Sequence, residues 1–116
     1  MKIDGTSIYM TRGDSESFLV SMRKDGETEI TPFETGDKVE MTIRNAPGGK
    51  AKILHKEVTE FTEDGRARIV IEPADTNELQ FKTYSYDIQV TFANGNVKTI
   101  VRPSDFVIGA ENTYGE

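Results

Sequence analysis

The stretch KTYSYDIQVTFANGNVKTIV, residues 82–101, contains two alternating segments that meet at Asn94-Gly95. Along the first segment, every second side chain is apolar or aromatic and most of those between them are polar. A period of two is typical of a strand with one buried face. Asn94-Gly95 favours a type I′ turn, because both residues tolerate positive φ angles. The stretch therefore predicts a β-hairpin whose core-facing side chains are Tyr84, Tyr86, Ile88, Val90 and Phe92.

The same alternation continues on both sides of this hairpin, between turn signals rich in glycine, proline and aspartate. We predict seven strands, near residues 7–12, 15–23, 38–45, 51–58, 66–72, 83–93 and 96–109. Pro103 cannot donate to a ladder, so we expect an edge, a bulge or a crossover near 102–104. Seven short strands in one domain favour an all-β fold, an immunoglobulin-like antiparallel β-sandwich, over a closed barrel. The predicted core includes Ile69, Ile71, Ile88, Val90, Val39 and Met41.

The segment EPADTNELQ, residues 72–80, departs from the β rhythm. Pro73 stands at a first helical position, with acidic residues in the first turn. This predicts one short helical turn near 73–79, with Leu79 on the core. Tyr84 and Tyr86 follow at the start of the next strand, where such sandwiches carry a tyrosine that bonds back to the preceding connection. We expect one of the two hydroxyls to contact residues 72–80.

The chain has 116 residues, of which 35% are hydrophobic, and it contains no cysteine. Its length predicts a single domain, 1–116, with a core at about 7–109 and a polar C-terminal tail at 110–116. The lack of cysteine excludes disulfides, cysteine-ligated zinc and thiol catalysis, and favours a reducing compartment. No apolar run has the length of a signal peptide or of the ~20 residues of a membrane span.

The chain is acidic, with 14 basic and 20 acidic residues and a formal net charge of −6. Phosphate backbones and anionic lipids repel such a surface. We therefore expect neither nucleic acid nor a membrane as a partner.

Two features could suggest catalysis or phosphate binding. His55 is the sole histidine, and its neighbours in sequence supply no nucleophile with an orienting acid. The segment PGGKAK, residues 47–52, has alanine where a P-loop needs serine or threonine, and strands flank it on both sides. We interpret His55 as an ordinary strand histidine and PGGKAK as a flexible hairpin tip. The sequence predicts no catalytic residues, no cofactor and no enzyme.

Acidic residues gather at two places, which are Glu57, Glu60, Glu63 and Asp64, and then Asp14 and Glu16. Calcium could bridge such carboxylates, but no EF-hand pattern occurs and a solvated loop explains them. We predict no metal ligands and no metal requirement for folding. Most aromatic residues fall on inward faces, so a sugar-binding platform is not indicated. Tyr9 and Tyr114 are the exceptions, and we interpret them as an edge and a tail residue.

Three segments follow one another along the chain in an order that resembles a known family of domains. They are TRGDSESFLVSM, then DGETEITPFETGDKVEMTIRN, then EDGRARIVIEPADTNELQFKTYSYDIQVTFANGNVKTIVRPSDFVI. This succession, over residues 8–108, resembles the small sandwich domains of bacteriophage tails, in particular the N-terminal domain of phage baseplate upper proteins and related prophage proteins. Its most specific parts are Pro73, Asp75, Thr76, Leu79, Tyr84, Tyr86, Asp87, Ile88 and Gln89. The segment QFKTY departs from the family, which more often has a glycine before the tyrosines.

The resemblance implies a non-enzymatic structural component of a phage or prophage tail or baseplate. Such a protein is made in the bacterial cytoplasm, is assembled into the virion, and contacts other tail or baseplate proteins. Alone, we expect it to be a monomer or a weak homo-oligomer. Arg12-Gly13-Asp14 is then a turn rather than an adhesion motif. The alternative is an immunoglobulin-like binding module for carbohydrate or for a cell-surface partner.

Overall fold

The computed structural model describes residues 1–110, within which the chain forms eight strands and one short helix. In chain order these are β1 (Lys2–Asp4), β2 (Ser7–Thr11), β3 (Glu16–Val20), β4 (Lys38–Arg44), β5 (Lys52–Val58), β6 (Ala67–Ile71), α1 (Pro73–Thr76), β7 (Lys82–Thr91) and β8 (Val97–Gly109). The seven predicted strands are present, and the predicted fold class is confirmed. The additional strand, β1, has three exposed residues and therefore no alternation that could have revealed it. Of the predicted tail at 110–116, residues 111–116 lie outside the described residues.

The strands form a six-stranded sheet, in the order β1-β2-β8-β7-β4-β5, and a two-stranded sheet of β3 and β6. The succession β8-β7-β4-β5 in one sheet, with β3-β6 in the other, is the arrangement of an immunoglobulin-like sandwich. The large sheet is mixed rather than wholly antiparallel, because β2 pairs in parallel with β8. The chain leaves β2 for the opposite sheet, so no hairpin forces β2 and β8 to run in opposite directions.

The core lies between the two sheets. The six side chains predicted to be buried there, from Val39 to Val90, are each at most 1% exposed. Ile8, Met10, Phe106 and Ile108 join them from β2 and β8. Full burial of a large apolar side chain contributes about 1.5–3 kcal/mol, so this layer is the main stabilising element. Phe92 lies beyond the end of β7 and is half-buried.

The β7–β8 hairpin is confirmed, but its turn differs from the predicted one. The N–H of Gly95 bonds the carbonyl of Phe92 at 2.8 Å, which places Ala93 and Asn94 at the centre of the turn. Gly95 follows with φ of 89°, the conformation of a three-residue loop with a glycine bulge. The Oδ1 of Asn94 accepts the N–H of Asn96 at 2.9 Å, and this bond supports the longer loop.

A bulge lies in β8 where Pro103 predicted an irregularity. Tyr86 pairs with Ser104 and Ile88 with Val101, so two residues of β8 lie opposite the single residue between Tyr86 and Ile88. The missing proline N–H makes this the position at which the ladder tolerates an extra residue. Of the three predicted alternatives, an edge, a bulge or a crossover, the structure therefore has a bulge.

The helical turn α1 is shorter than predicted, ending at Thr76 rather than near residue 79. The tyrosine prediction is confirmed. Tyr84 is buried, and its hydroxyl accepts the N–H of Gln80 at 3.0 Å and donates to the Gln80 carbonyl at 3.3 Å. This pair of bonds fixes the start of β7 to the connection that precedes it.

Candidate functional site

The two sheets are unequal, so one side of the sandwich is left open. In residues 1–110, β3 and β6 pair with each other and with no other strand. The β5 edge of the large sheet contacts β6, which places the unpaired edge of β3 toward β1 at the opposite end. Two strand edges, β1 and β3, therefore border the same open seam. An unpaired strand edge presents N–H and C=O groups to any extended chain that reaches it.

A groove lies in this seam and encloses about 240 Å³. The buried side chains of Ile8, Val20 and Ile88 line it, together with that of Tyr86. Other lining residues are Ile3, Gly5, Thr6, Phe18, Leu19, Ser21 and Val101. We call this feature the β1–β3 groove. Its lining is mixed, because Gly5, Thr6 and Ser21 add polar atoms to those of the apolar side chains.

Two of the large apolar side chains at the β1–β3 groove are exposed to solvent. Ile3 of β1 is 49% exposed and Leu19 of β3 is 43% exposed. Each belongs to one of the two edge strands. Ile3 lies opposite the buried Ile8 in register, and Leu19 lies opposite Arg68 on the outward face of β3. Exposed apolar residues that border a concave apolar surface are characteristic of a binding site. The groove is thus the candidate functional site.

The opposite side of the sandwich, where β5 meets β6, is closed by an ion pair. Lys56 lies opposite Met41 in register and therefore shares its inward face, although it belongs to an edge strand. Its ammonium group is 2.6 Å from the carboxylate of Asp75 in α1. An inward-pointing charge on an edge strand opposes pairing with another chain. The edge of β3 has a comparable ion pair at its start, where the ammonium group of Met1 lies 2.8 Å from the carboxylate of Glu16. The groove lies beside residues 18–21, further along this strand.

The carboxyl group of Asp75 also caps α1. Its Oδ2 accepts the N–H of Glu72 at 2.7 Å. Partial burial opposes ionisation of this carboxyl group, but the hydrogen bonds from Lys56 and Glu72 and the charge of Lys56 outweigh that effect. The pKa of Asp75 therefore lies below its ordinary value of 3.8. Asp75 is charged at neutral pH and holds the β5–β6 side together.

His55 lies on the outward face of the large sheet, as an ordinary strand residue would, but two acidic side chains contact its ring. Glu40 and Glu57 approach its Nε2 at 2.9 and 3.3 Å. This cluster is not visible in the sequence, because Glu40 is far from His55 along the chain. Glu40 and Thr42 share the outward face of β4, and His55 and Glu57 share that of β5, but this becomes informative only when the register of the two strands is known.

Two other segments considered as possible sites, PGGKAK and the acidic loop around Asp64, have local structural roles. PGGKAK spans the connection from β4 into β5, with Gly48 at φ of 74°. In the acidic loop, Asp64 pairs with Arg66 at 3.0 Å and accepts the hydroxyl of Thr62. Both positions are therefore part of turns.

The Arg12-Gly13-Asp14 tripeptide forms the turn between β2 and β3. The N–H of Gly13 donates to the hydroxyl of Thr76 at 2.8 Å, and Gly13 has φ of 83°. Tyr9 is half-buried on β2, with the ammonium of Lys2 5.8 Å from its ring. Tyr114 lies outside the described residues.

No family model, curated protein or solved structure matches this chain. Across residues 1–110, none of the helical structure is long and apolar enough to cross a membrane. The structural grounds for a function are therefore the strand edges, the groove and the charges described above.

Proposed function

We propose that this protein is a non-enzymatic structural component of a bacteriophage or prophage tail or baseplate that acts through protein–protein contacts. The observation that carries the proposal is the unpaired edge of β3 beside the β1–β3 groove. The resemblance to phage tail sandwich domains supplies the class of partner, which is a neighbouring tail or baseplate protein.

The partner contributes an extended segment that adds to the edge of β3. In this mode of recognition, main-chain hydrogen bonds supply affinity and pockets for alternate side chains supply specificity. The groove has room for an apolar side chain of the partner, since its volume of about 240 Å³ exceeds the ~150 Å³ of an apolar cavity that holds benzene. That side chain would contact Ile8, Val20 and Ile88, and its flanks would cover Ile3 and Leu19.

The apolar side chains at the groove can supply only part of the affinity for a partner. Complete burial of a large apolar side chain contributes about 1.5–3 kcal/mol. Ile3 and Leu19 are already half-covered in the free protein, so their remaining exposure contributes less than this. Affinity then depends on the added strand, which favours a monomer or weak oligomer in isolation and a tight complex with the correct partner.

The test is co-expression with the products of the genes adjacent to this one, followed by size-exclusion chromatography with light scattering. Leu19→Asp places a charge at the groove and should abolish the complex with the partner. Val97→Asp is the matched control, because Val97 is 59% exposed and lies on β8 away from the groove. Binding of a neighbour by the wild type and by Val97→Asp, but not by Leu19→Asp, supports the proposal.

Two outcomes would contradict the proposal. In the first, a complex forms equally well with Leu19→Asp, so that the groove is not the interface. In the second, no neighbouring gene product binds and the purified protein instead retains a soluble glycan. The second outcome would favour the carbohydrate-binding alternative.

A further inference from the structure

Four side chains form a block on the outward face of β4 and β5. Glu40 lies directly opposite Glu57 in register, and Thr42 lies directly opposite His55. Two carboxylates directly across from each other on one face of a sheet repel. Lys38 is 3.4 Å from Oε1 of Glu40, which leaves Oε2 of Glu40 facing the ring of His55. The block therefore has surplus negative charge directed at one imidazole nitrogen.

The three donor atoms lie close enough together to contact one metal ion. Nε2 of His55 is 2.9 Å from Oε2 of Glu40 and 3.3 Å from Oε1 of Glu57. The donor atoms of the three residues all lie within 4.8 Å of one another. In a tetrahedral site with metal–ligand distances of about 2.0–2.2 Å, neighbouring ligand atoms are about 3.3–3.6 Å apart. The distance of 2.9 Å between Nε2 of His55 and Oε2 of Glu40 is a hydrogen-bond length, so Glu40 would move slightly away from the ring to hold an ion.

The second nitrogen of the ring is held in the way that metal-binding histidines require. Nδ1 of His55 is 3.0 Å from the hydroxyl oxygen of Thr42, which is itself 6% exposed. When Nδ1 carries the proton, it donates to this hydroxyl and directs the lone pair of Nε2 at the two carboxylates. This hydrogen bond fixes the ring so that Nε2 faces the two carboxylates.

We propose that Glu40, His55 and Glu57 bind a divalent transition-metal ion, for which Zn²⁺ is the best-suited test ion. One imidazole with two carboxylates suits zinc and related ions, whereas calcium and magnesium prefer oxygen ligands alone. The three residues leave a fourth position open to water or to a ligand from another protein. The ion is not a requirement for folding, because the core lies on the opposite face of the sheet.

The experiment uses the full chain without a histidine tag, first dialysed against EDTA and then titrated with ZnCl₂ in a calorimeter. We expect one Zn²⁺ per chain, with no comparable binding of Mg²⁺ or Ca²⁺. Glu57→Gln removes one ligand at a largely exposed position and should weaken binding at least ~10-fold, in line with losses on perturbing metal sites. Glu63→Gln is the control, since it removes the same charge from an exposed loop residue.

A second measurement identifies the atom that binds. His55 is the sole histidine, so the imidazole ¹⁵N signals in NMR spectra belong to one residue. Addition of Zn²⁺ should shift the Nε2 signal and leave Nδ1 protonated, with amide changes confined to β4 and β5. The proposal is overturned if Zn²⁺ leaves these signals unchanged at millimolar concentration, or if Glu57→Gln and Glu63→Gln bind with the same affinity as the wild type.

Discussion

The hydroxyl of Tyr86, on β7, donates a hydrogen bond to the carbonyl of Thr6, in the turn between β1 and β2. The two residues are 80 positions apart in sequence, and both line the β1–β3 groove. Burial raises the pKa of Tyr86 to about 12, so the hydroxyl remains a donor at neutral pH. This bond anchors the β1–β2 turn, and with it one wall of the groove, to the central hairpin.

Replacing Tyr86 with phenylalanine should therefore loosen the wall of the groove as well as destabilise the fold. The Thr6 carbonyl loses its partner, and we expect a loss of about 1–3 kcal/mol in the free energy of unfolding. Amides of β1 and β2 should exchange faster with solvent, because their tether to β7 is gone. Urea unfolding and hydrogen exchange measure the two effects. Unchanged exchange in β1 and β2 would show that the bond does not hold this turn.

Tyr84→Phe serves as the matched variant, since Tyr84 is equally buried but bonds to Gln80 instead. We expect a loss of about 1–3 kcal/mol here too, because the Gln80 N–H and carbonyl both lose a partner. The faster exchange should be confined to the connection between α1 and β7. An unfolding midpoint equal to that of the wild type would count against a stabilising tyrosine corner.

Ile88 tests the assignment of the inward face of β7. Its side chain is 1% exposed and lines the floor of the groove. Ile88→Ala should reduce the free energy of unfolding by about 2–5 kcal/mol, through the lost transfer energy and the cavity that remains. Val97→Ala, at an exposed site, should change it by no more than about 0.5 kcal/mol. Equal effects of the two substitutions in urea unfolding would be incompatible with the observed packing.

Asp75 predicts a pH dependence of stability. Its pKa is lower in the folded protein than the ordinary value of 3.8, so its ionised form stabilises the fold. Asp75→Asn should therefore be less stable than the wild type above that value. The difference should vanish as the pH falls through the lower folded-state pKa, where the wild-type carboxyl group also becomes neutral. Thermal unfolding of both proteins, from neutral pH to below the folded-state pKa, measures this difference in stability. A difference that persists at the lowest pH would indicate another cause.

Features that depend on local pattern could be predicted from the sequence. The period of two placed Ile69, Ile71 and Ile88 in the core, and Pro103 marked the bulge in β8. The corner formed by Tyr84 was accessible because its partner Gln80 is only four residues away. Each of these predictions requires knowledge of a single segment and its immediate neighbours.

Features that depend on distant segments could not be predicted. The bond from Tyr86 to Thr6 joins residues 80 positions apart, and the groove forms because β1 and β3 lie at the same side of two unequal sheets. The meeting of Glu40 with His55 depends on the register of β4 and β5, which shifts at Ile43/Arg44. Such a shift moves side chains relative to their partners, and no local pattern reveals it.

The measurement that tests the central claim most directly is hydrogen exchange of the β3 amides, residues 16–20, with and without the neighbouring gene product that binds. A strand added to the unpaired edge of β3 gives new hydrogen bonds to its outward N–H groups and slows their exchange. We predict slower exchange in β3 and around Ile3 in the complex, with the protected edge of β5 unchanged. Slower exchange confined to β5 or β8, with β3 unaffected, would contradict the account.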